Sequence, residues 1–329
     1  MAIIADKAYN LKDYAAQFDP AGRELAISEV LTQANDIIAD MLVKESNLDS
    51  GHEYAVRTGI PAGTWRRAYQ GVEPEKATTK VVTESYGTLS AYSVVDKLIA
   101  EKGGNVDAVR GGQSKAIIAG MSNSMAHNLI YGNSGVNPER FTGLAARYTL
   151  DPEAESTRNV IDAGGTAAGQ NSSIYLVVWE YDKVFGFFPK GSRAGIERVD
   201  HGLVNHTDAE GKEYPAYKEY FEWKLGLAVP DWRFAGRIVN VPKKPTAALL
   251  DHMMDLEERI QSLSMGRPVW YMNRHMKAAL RKLASNKTNV NYTPDQITAR
   301  TLMTFDGIPV HICDALKETE DVVTAPSGD

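Results

Sequence analysis

Cysteine is almost missing from this chain: Cys313 is the only one in 329 residues, so no disulfide can form within it. A lone thiol fits a reducing compartment. No stretch approaches the roughly 18 consecutive apolar residues of a membrane span. The opening residues, MAIIADKAYNLKDY, lack the basic start and apolar core of a secretory signal. Positive charge is also short, with 36 Lys and Arg against 42 Asp and Glu and a net charge of −6. That balance excludes a protein that grips nucleic acid through its overall field, because phosphate contacts need clustered cations. These absences predict a soluble protein made in the cytoplasm.

Catalytic patterns are missing too. The histidines, at 52, 127, 201, 206, 252, 275 and 311, show no metal-ligand spacing. His201 and His206 read as solvated loop residues beside Asp200 and Asp208. His311 and Cys313 fall on one face of a strand, which predicts a buried structural thiol and not a catalytic dyad. Gly186–Ser192 (GFFPKGS) has the outline of a phosphate loop but no Lys after its second glycine, and Pro189 removes an amide donor. Asp255, Glu257, Glu258 and Arg259 read as the solvated face of a helix. The expectation is no catalytic, cofactor-binding or metal-binding residue, and a particle yield nearly unaltered by changing any one histidine to alanine.

What is present is globular in composition, 43% hydrophobic and 24% charged. Residues 1–20 read as an arm. Ile27, Val30, Leu31, Ala34, Ile37, Ile38, Met41 and Leu42 recur at three and four, predicting an amphipathic helix from Arg23 to Ser46. Strand-favouring residues at Tyr54–Thr58 and Thr78–Thr83 flank a segment rich in Gly and Pro. They predict a long two-stranded hairpin turning near Val72–Lys76. It carries Trp65 and Tyr69 beside Arg66 and Arg67, with no third strand nearby, so it needs another surface to lie on. A long helix follows at Asn105–Tyr131, capped by Asn105, stopped by Gly132 and striped with Ile117, Ile118, Met121, Met125 and Leu129. Gly111 and Gly112 are candidate breaks.

Ser173–Trp179 and Lys183–Phe188 read as strands paired around Tyr181 and Asp182, and Tyr217–Asn240 as largely strand. A helix runs from Thr246, with Leu249, Met253, Leu256, Ile260 and Leu263 on one face and Gly266 as its stop. Pro268–Met272 reads as a strand, Asn273 as the cap of a further helix, and Thr301–Ile312 as a last ordered element. Proline cannot donate to a central ladder, so Pro309 belongs at a sheet edge or strand end. Val322–Asp329 reads as a disordered tail.

Several segments together resemble one family. Gly59–Arg66 (GIPAGTWR) and Gly71–Thr79 (GVEPEKATT) are similar to the extended-loop hairpin of tailed-phage major capsid proteins. Leu129–Asn133 (LIYGN) with Phe141–Tyr148 (FTGLAARY) resembles the end of their spine helix. Ser173–Trp179, Phe188–Gly195 and Trp232–Asn240 resemble strand motifs of a subgroup found in short-tailed phages. Val269–Arg274 with Ala279–Leu283, and Asp306–Val310 with Asp314–Leu316, resemble patterns spread across HK97-like capsid proteins.

The resemblance implies an α+β, HK97-like capsid fold. It comprises an N-terminal arm and helix (1–50), an extended-loop hairpin (51–88), a peripheral domain with spine helix and β-rich region (89–245), an axial domain (246–300), and a returning strand with tail (301–329). It implies self-assembly into hexamers and pentamers of an icosahedral shell that encloses double-stranded DNA, in a virion assembled in the host bacterial cytoplasm. Inter-subunit contacts are expected from Arg57, Trp65, Arg66, Arg67, Tyr69, Lys76 and Lys80; Lys76 and Lys80 sit where a crosslinking lysine could sit, but crosslinking is not expected of them. Spine packing is expected from Ile117, Met121, Met125 and Leu129. Only about fifty residues precede the hairpin, so scaffolding is expected from a separate protein, beside a portal and a decoration protein. Residues 1–50 hold nine Asp or Glu against four Lys or Arg; facing inward, such a segment would repel DNA. The rival readings are a bacterial nanocompartment shell and, from another class, a cytosolic enzyme with an unrecognised site.

Overall fold

The computed structural model describes residues 35–102, 105–208, 210–286 and 303–325. In chain order, Asp36–Asp40 is a short helix (α1) and Val43–Glu45 a strand (β1). Strands Gly51–Gly59 (β2), Thr78–Ser85 (β3) and Gly87–Asp96 (β4) follow, then helices Lys97–Lys102 (α2), Val106–Tyr131 (α3) and Leu144–Arg147 (α4). Val160–Asp162 (β5), Asn171–Trp179 (β6), Phe185–Phe188 (β7), Ile196–Thr207 (β8), Glu213–Ala228 (β9) and Ala235–Pro242 (β10) form the β-rich middle. Ala248–Arg259 (α5), Arg267–Met272 (β11), Arg274–Asn286 (α6), Thr304–Phe305 (β12) and Ile308–Ile312 (β13) complete the chain.

The strands make two sheets and a separate ribbon. The first sheet runs β1-β7-β9-β4, with β8 pairing β9. The second runs β12-β13-β11-β6-β10-β5. The ribbon is β2 with β3. Alternation sets the faces of the first sheet: on β9, Glu219, Phe221, Trp223 and Leu225 are buried, while Lys218, Tyr220, Glu222 and Lys224 between them are half-exposed. In the second sheet β6 lies between β10 and β11, and all nine of its residues are buried, so both of its faces are covered. Helix α5 packs on β10 and β5, and α6 on β13.

Helix α3 begins where Asn105 Oδ1 accepts the Ala108 amide (3.1 Å) and ends at Gly132, whose amide donates to the Asn128 carbonyl (2.8 Å). At 1.5 Å per residue it is roughly 39 Å long. Gly111 and Gly112 do not break it. Met121, Met125 and Leu129 are buried and Ile117 is half-buried against the core, but Ile118 is 39% exposed. The apolar stripe therefore serves the C-terminal half of the helix more than the first.

Several expectations are corrected. The helix foreseen to Ser46 stops at Asp40, since Met41 is already extended and leads into β1, parallel to β7; its part before residue 35, like the arm, lies outside the described residues. Strands β6 and β7 share a single bridge, Glu180 with Val184, before β7 crosses into the first sheet. The segment from Ile196 to Thr207, with His201 and His206, is strand β8 and not a loop. Helix α5 ends at Arg259 and Ile260 is extended, six residues ahead of Gly266. Val323 of the tail is anchored: its amide donates to Asn240 Oδ1 (2.8 Å) and its carbonyl accepts from Asn240 Nδ2 (2.9 Å). The boundary expected at residue 245 divides the second sheet, which joins β5, β6 and β10 to β11, β12 and β13. Pro309 lies opposite Thr304 near the start of β13, ahead of Val310, where the ladder to β11 begins.

Candidate assembly surfaces

The ribbon carries the most exposed aromatic side chains described. β2 and β3 pair from Gly51 with Ser85 outward to Gly59 with Thr78. Residues 60–77 between them form no strand, and all are exposed. Their turn is at Arg67–Gln70, where the Gln70 amide donates to the Arg67 carbonyl (3.2 Å) and Tyr69 has φ 68, not at Val72–Lys76. Trp65 and Tyr69 are fully exposed and Ile60 is nearly so. Arg66, Arg67 and Lys76 sit in the same loop, with Arg57 on β2 and Lys80 on β3, all exposed. The loop's bonds stay within the hairpin: Gly63 amide to Glu75 Oε2 (3.1 Å), Arg67 amide to Gln70 Oε1 (3.2 Å).

At its base the ribbon is seated firmly. His52 lies between the rings of Phe185 and Phe187, at 5.3 and 5.5 Å. Tyr54 and Tyr86 pack on the same two rings and Ala228. Burial and the Lys44 ammonium lower the His52 pKa, so the imidazole is neutral near pH 7. Above this seat, Arg147 of α4 forks onto Glu84 of β3, Nη1 to Oε1 at 2.6 Å and Nη2 to Oε2 at 2.7 Å. The Tyr54 hydroxyl donates to Glu84 Oε1 (2.9 Å). Burial, then the Glu84 charge, push its pKa far above the ordinary tyrosine value, so it stays a donor.

Helix α3 is tied to the first sheet by different forces at its two ends. Toward the C-terminus Met121, Met125, Ala126, Leu129 and Ile130 are buried in the apolar core. Toward the N-terminus Arg110 and Ser114 reach Glu219 of β9, which is 1% exposed. Arg198 of β8 joins the same carboxylate at 2.8 Å, and Asp200 pairs with Arg110 at 2.6 Å. Burial alone would raise the Glu219 pKa, but hydrogen bonds from Arg198 and Ser114 and the two guanidiniums outweigh it and hold it below the usual range.

Several of the polar residues weighed for chemistry have partners within the chain. The Gly191 amide, in the loop after β7, donates to Glu45 Oε1 (2.7 Å). His311 Nδ1 lies 2.5 Å from Asp40 Oδ2, which also accepts from the Tyr271 hydroxyl (2.9 Å). Cys313 is buried, its Sγ 3.7 Å from Asn35 Oδ1, and burial pushes its pKa up to about 12, which makes it inert. Glu257, read from sequence as solvated, is 8% exposed and accepts from Trp270 Nε1 (3.2 Å). Among the described residues no group of three or more His, Cys, Asp or Glu is placed to hold a metal ion. Among the same residues no helix is long and apolar enough to cross a membrane. A cleft lined by Gly87, Leu89, Met125, His127, Asn128 and Phe141 lies between α3 and β4.

Sequence reasoning missed Glu84, Arg147 and Glu219. For Glu84 and Glu219 the available signal was a charged residue inside a strand pattern, since a carboxylate at an inward position must find a cation.

Comparison with known proteins closes the question of family. No curated protein matches the chain. The family model described as major capsid protein GP7 matches residues 19–324. A chain of the solved structure of bacteriophage Epsilon15 is 30% identical, superposes with a TM-score of 0.79, and is matched over 99% of this chain and 100% of that one. The bacteriophage JBD30 capsid is similar in fold alone, at 10% identity and a TM-score of 0.52, over 88% of this chain and 95% of that one. With a mixed helix-and-sheet architecture of the HK97-like type, this chain belongs to the GP7 family of phage major capsid proteins.

Proposed function

We propose that the β2–β3 hairpin is the principal inter-subunit arm of this capsid protein, acting through Arg57, Trp65, Arg66, Arg67, Tyr69, Lys76 and Lys80. The observation that carries the reading is the full exposure of Trp65 and Tyr69 on a ribbon with no third strand among the described residues. A two-stranded ribbon is marginal in water, and large aromatic side chains gain most when buried against a partner. Each copy meets several neighbours, so modest contacts multiply into a stable shell. The arginines then act mainly in orientation and choice of partner.

The rest of the proposal concerns roles. Symmetric assembly, in hexamers and pentamers, is the whole function, with no catalysis. Spine-helix packing through Ile117, Met121, Met125 and Leu129 keeps the peripheral part stiff, while the region from 246 onward surrounds the capsomer centres. Scaffolding, portal and decoration proteins join it during assembly in the host bacterial cytoplasm. The net charge of −6 supports a wall that holds DNA without gripping it. Deleting Thr64–Lys80 tests the central claim: a soluble, folded chain that forms no closed shells is the expected result, and normal particles by negative-stain microscopy overturn it.

A further inference from the structure

The hairpin's apolar seat and its polar clamp do different jobs. The rings around His52, Tyr54 and Tyr86 hold the base of the ribbon by burial, which has no direction of its own. A guanidinium on a carboxylate is directional: two parallel N–H···O bonds keep both planes in line. Here the fork joins two otherwise separate parts, Glu84 on the ribbon and Arg147 on α4, just beyond the C-terminal end of the spine helix. Arg147 is itself fixed from the body, its Nη2 donating to the Leu227 carbonyl (3.2 Å) and its Nε to the Thr142 carbonyl (3.4 Å). Tyr54 on the neighbouring strand braces the same carboxylate. Gly51 lets the ribbon close at this point, since a Cβ there would stand 2.2 Å from the Glu84 carbonyl.

We propose that Arg147 and Glu84 are positioning residues for assembly: their fork sets the angle at which the hairpin leaves the subunit, and through it the curvature at which neighbours meet. The proposal rests on the hairpin being the inter-subunit arm. A small error of angle at the base becomes a large displacement at Trp65, because the ribbon reaches about eight paired residues outward at roughly 3.3 Å each. The charge alone does not do this. Lysine keeps the charge and loses the fork, so R147K separates attraction from aim.

The test uses the full chain. Wild type, R147K, E84Q and the Thr64–Lys80 deletion are compared by circular dichroism, by hydrogen exchange in peptides covering 51–59 and 78–85, and by particle yield and diameter in negative stain. R147K and E84Q are expected to keep the wild-type spectrum, to exchange faster in those two peptides, and to give roughly tenfold fewer closed particles with a broader spread of diameters. Should R147K fail to fold, E84Q tests the clamp with almost no change in volume, removing the charge together with one arm of the fork. Wild-type exchange and wild-type diameters in a folded R147K or E84Q overturn the clamp. If the deletion still closes normal shells, it is the arm that fails. The two failures are thereby distinguishable.

Discussion

Arg110 Nη2 lies 2.7 Å from Glu219 Oε1, and this contact pins the first half of the spine helix to β9. Between Val106 and Gly120 only Ser114 is buried, and Ser114 donates to the same carboxylate (2.6 Å). Glu219→Gln therefore leaves two guanidiniums facing a neutral amide. The expected loss is about 3 kcal/mol in chemical denaturation, at the low end for a broken buried pair because Arg198 stays half-exposed. The folded pKa of Glu219 is depressed, so its contribution is present above the unfolded value and is lost as pH falls through the folded one. The wild type should thus lose more stability toward acid than the variant, and equal acid profiles would contradict this account.

Glu257 behaves in the opposite sense. Burial first, then the nearby Asp306 and Glu258 charges, raise its pKa to about 7, while the Trp270 indole bond lowers it. A carboxyl with a raised folded pKa contributes stability that is full below its unfolded value and is lost as pH rises through the folded one. Between about pH 4.5 and 7 the folded state binds the extra proton, and the loss is on the order of 3 kcal/mol. Glu257→Gln should flatten this part of the pH profile in thermal melts. An unchanged slope would show that another group titrates there.

Trp65→Ala and Tyr69→Ala should leave the melting temperature of the unassembled subunit unchanged, because both side chains are fully exposed. Shell closure should fail or fall sharply in each. Reversing Arg66 and Arg67 to Glu should likewise block particles without altering the circular dichroism spectrum. Normal particles from any of these variants would remove the hairpin residues from the interface.

The histidines separate into two classes by their surroundings. His311→Ala removes a partner of the nearly buried Asp40 and should cost about 1–3 kcal/mol. His52→Ala opens the gap between Phe185 and Phe187 and should loosen the hairpin base. His201→Ala, on the exposed strand β8, should be neutral. Urea titration of the three variants decides between these outcomes.

Much of this was legible in the residues. The spine helix announced both ends, through the Asn105 cap and the Gly132 stop, because capping depends on a few neighbouring atoms. The hairpin strands followed from their composition and from the glycines and prolines between them. Asn273 capped α6 as read, its Oδ1 accepting the Met276 amide (2.8 Å). The turn at Arg67–Gln70 was missed because Tyr69 adopts a positive φ without glycine's help.

Local chemistry thus determined where elements start, stop and alternate, and the ordered set of segment likenesses determined the family. Only the tertiary structure decided which strands share a sheet. The crossing of Phe185–Phe188 away from β6, and the joining of β5, β6 and β10 to the last three strands, depend on partners far off in sequence. The same holds for Glu84, Glu219 and Glu257, three acidic residues whose surroundings are set by distant chain. A carboxylate looks the same in a sequence whether water, an arginine fork or a tryptophan ring will face it. Its energy is decided by which of these the fold brings near.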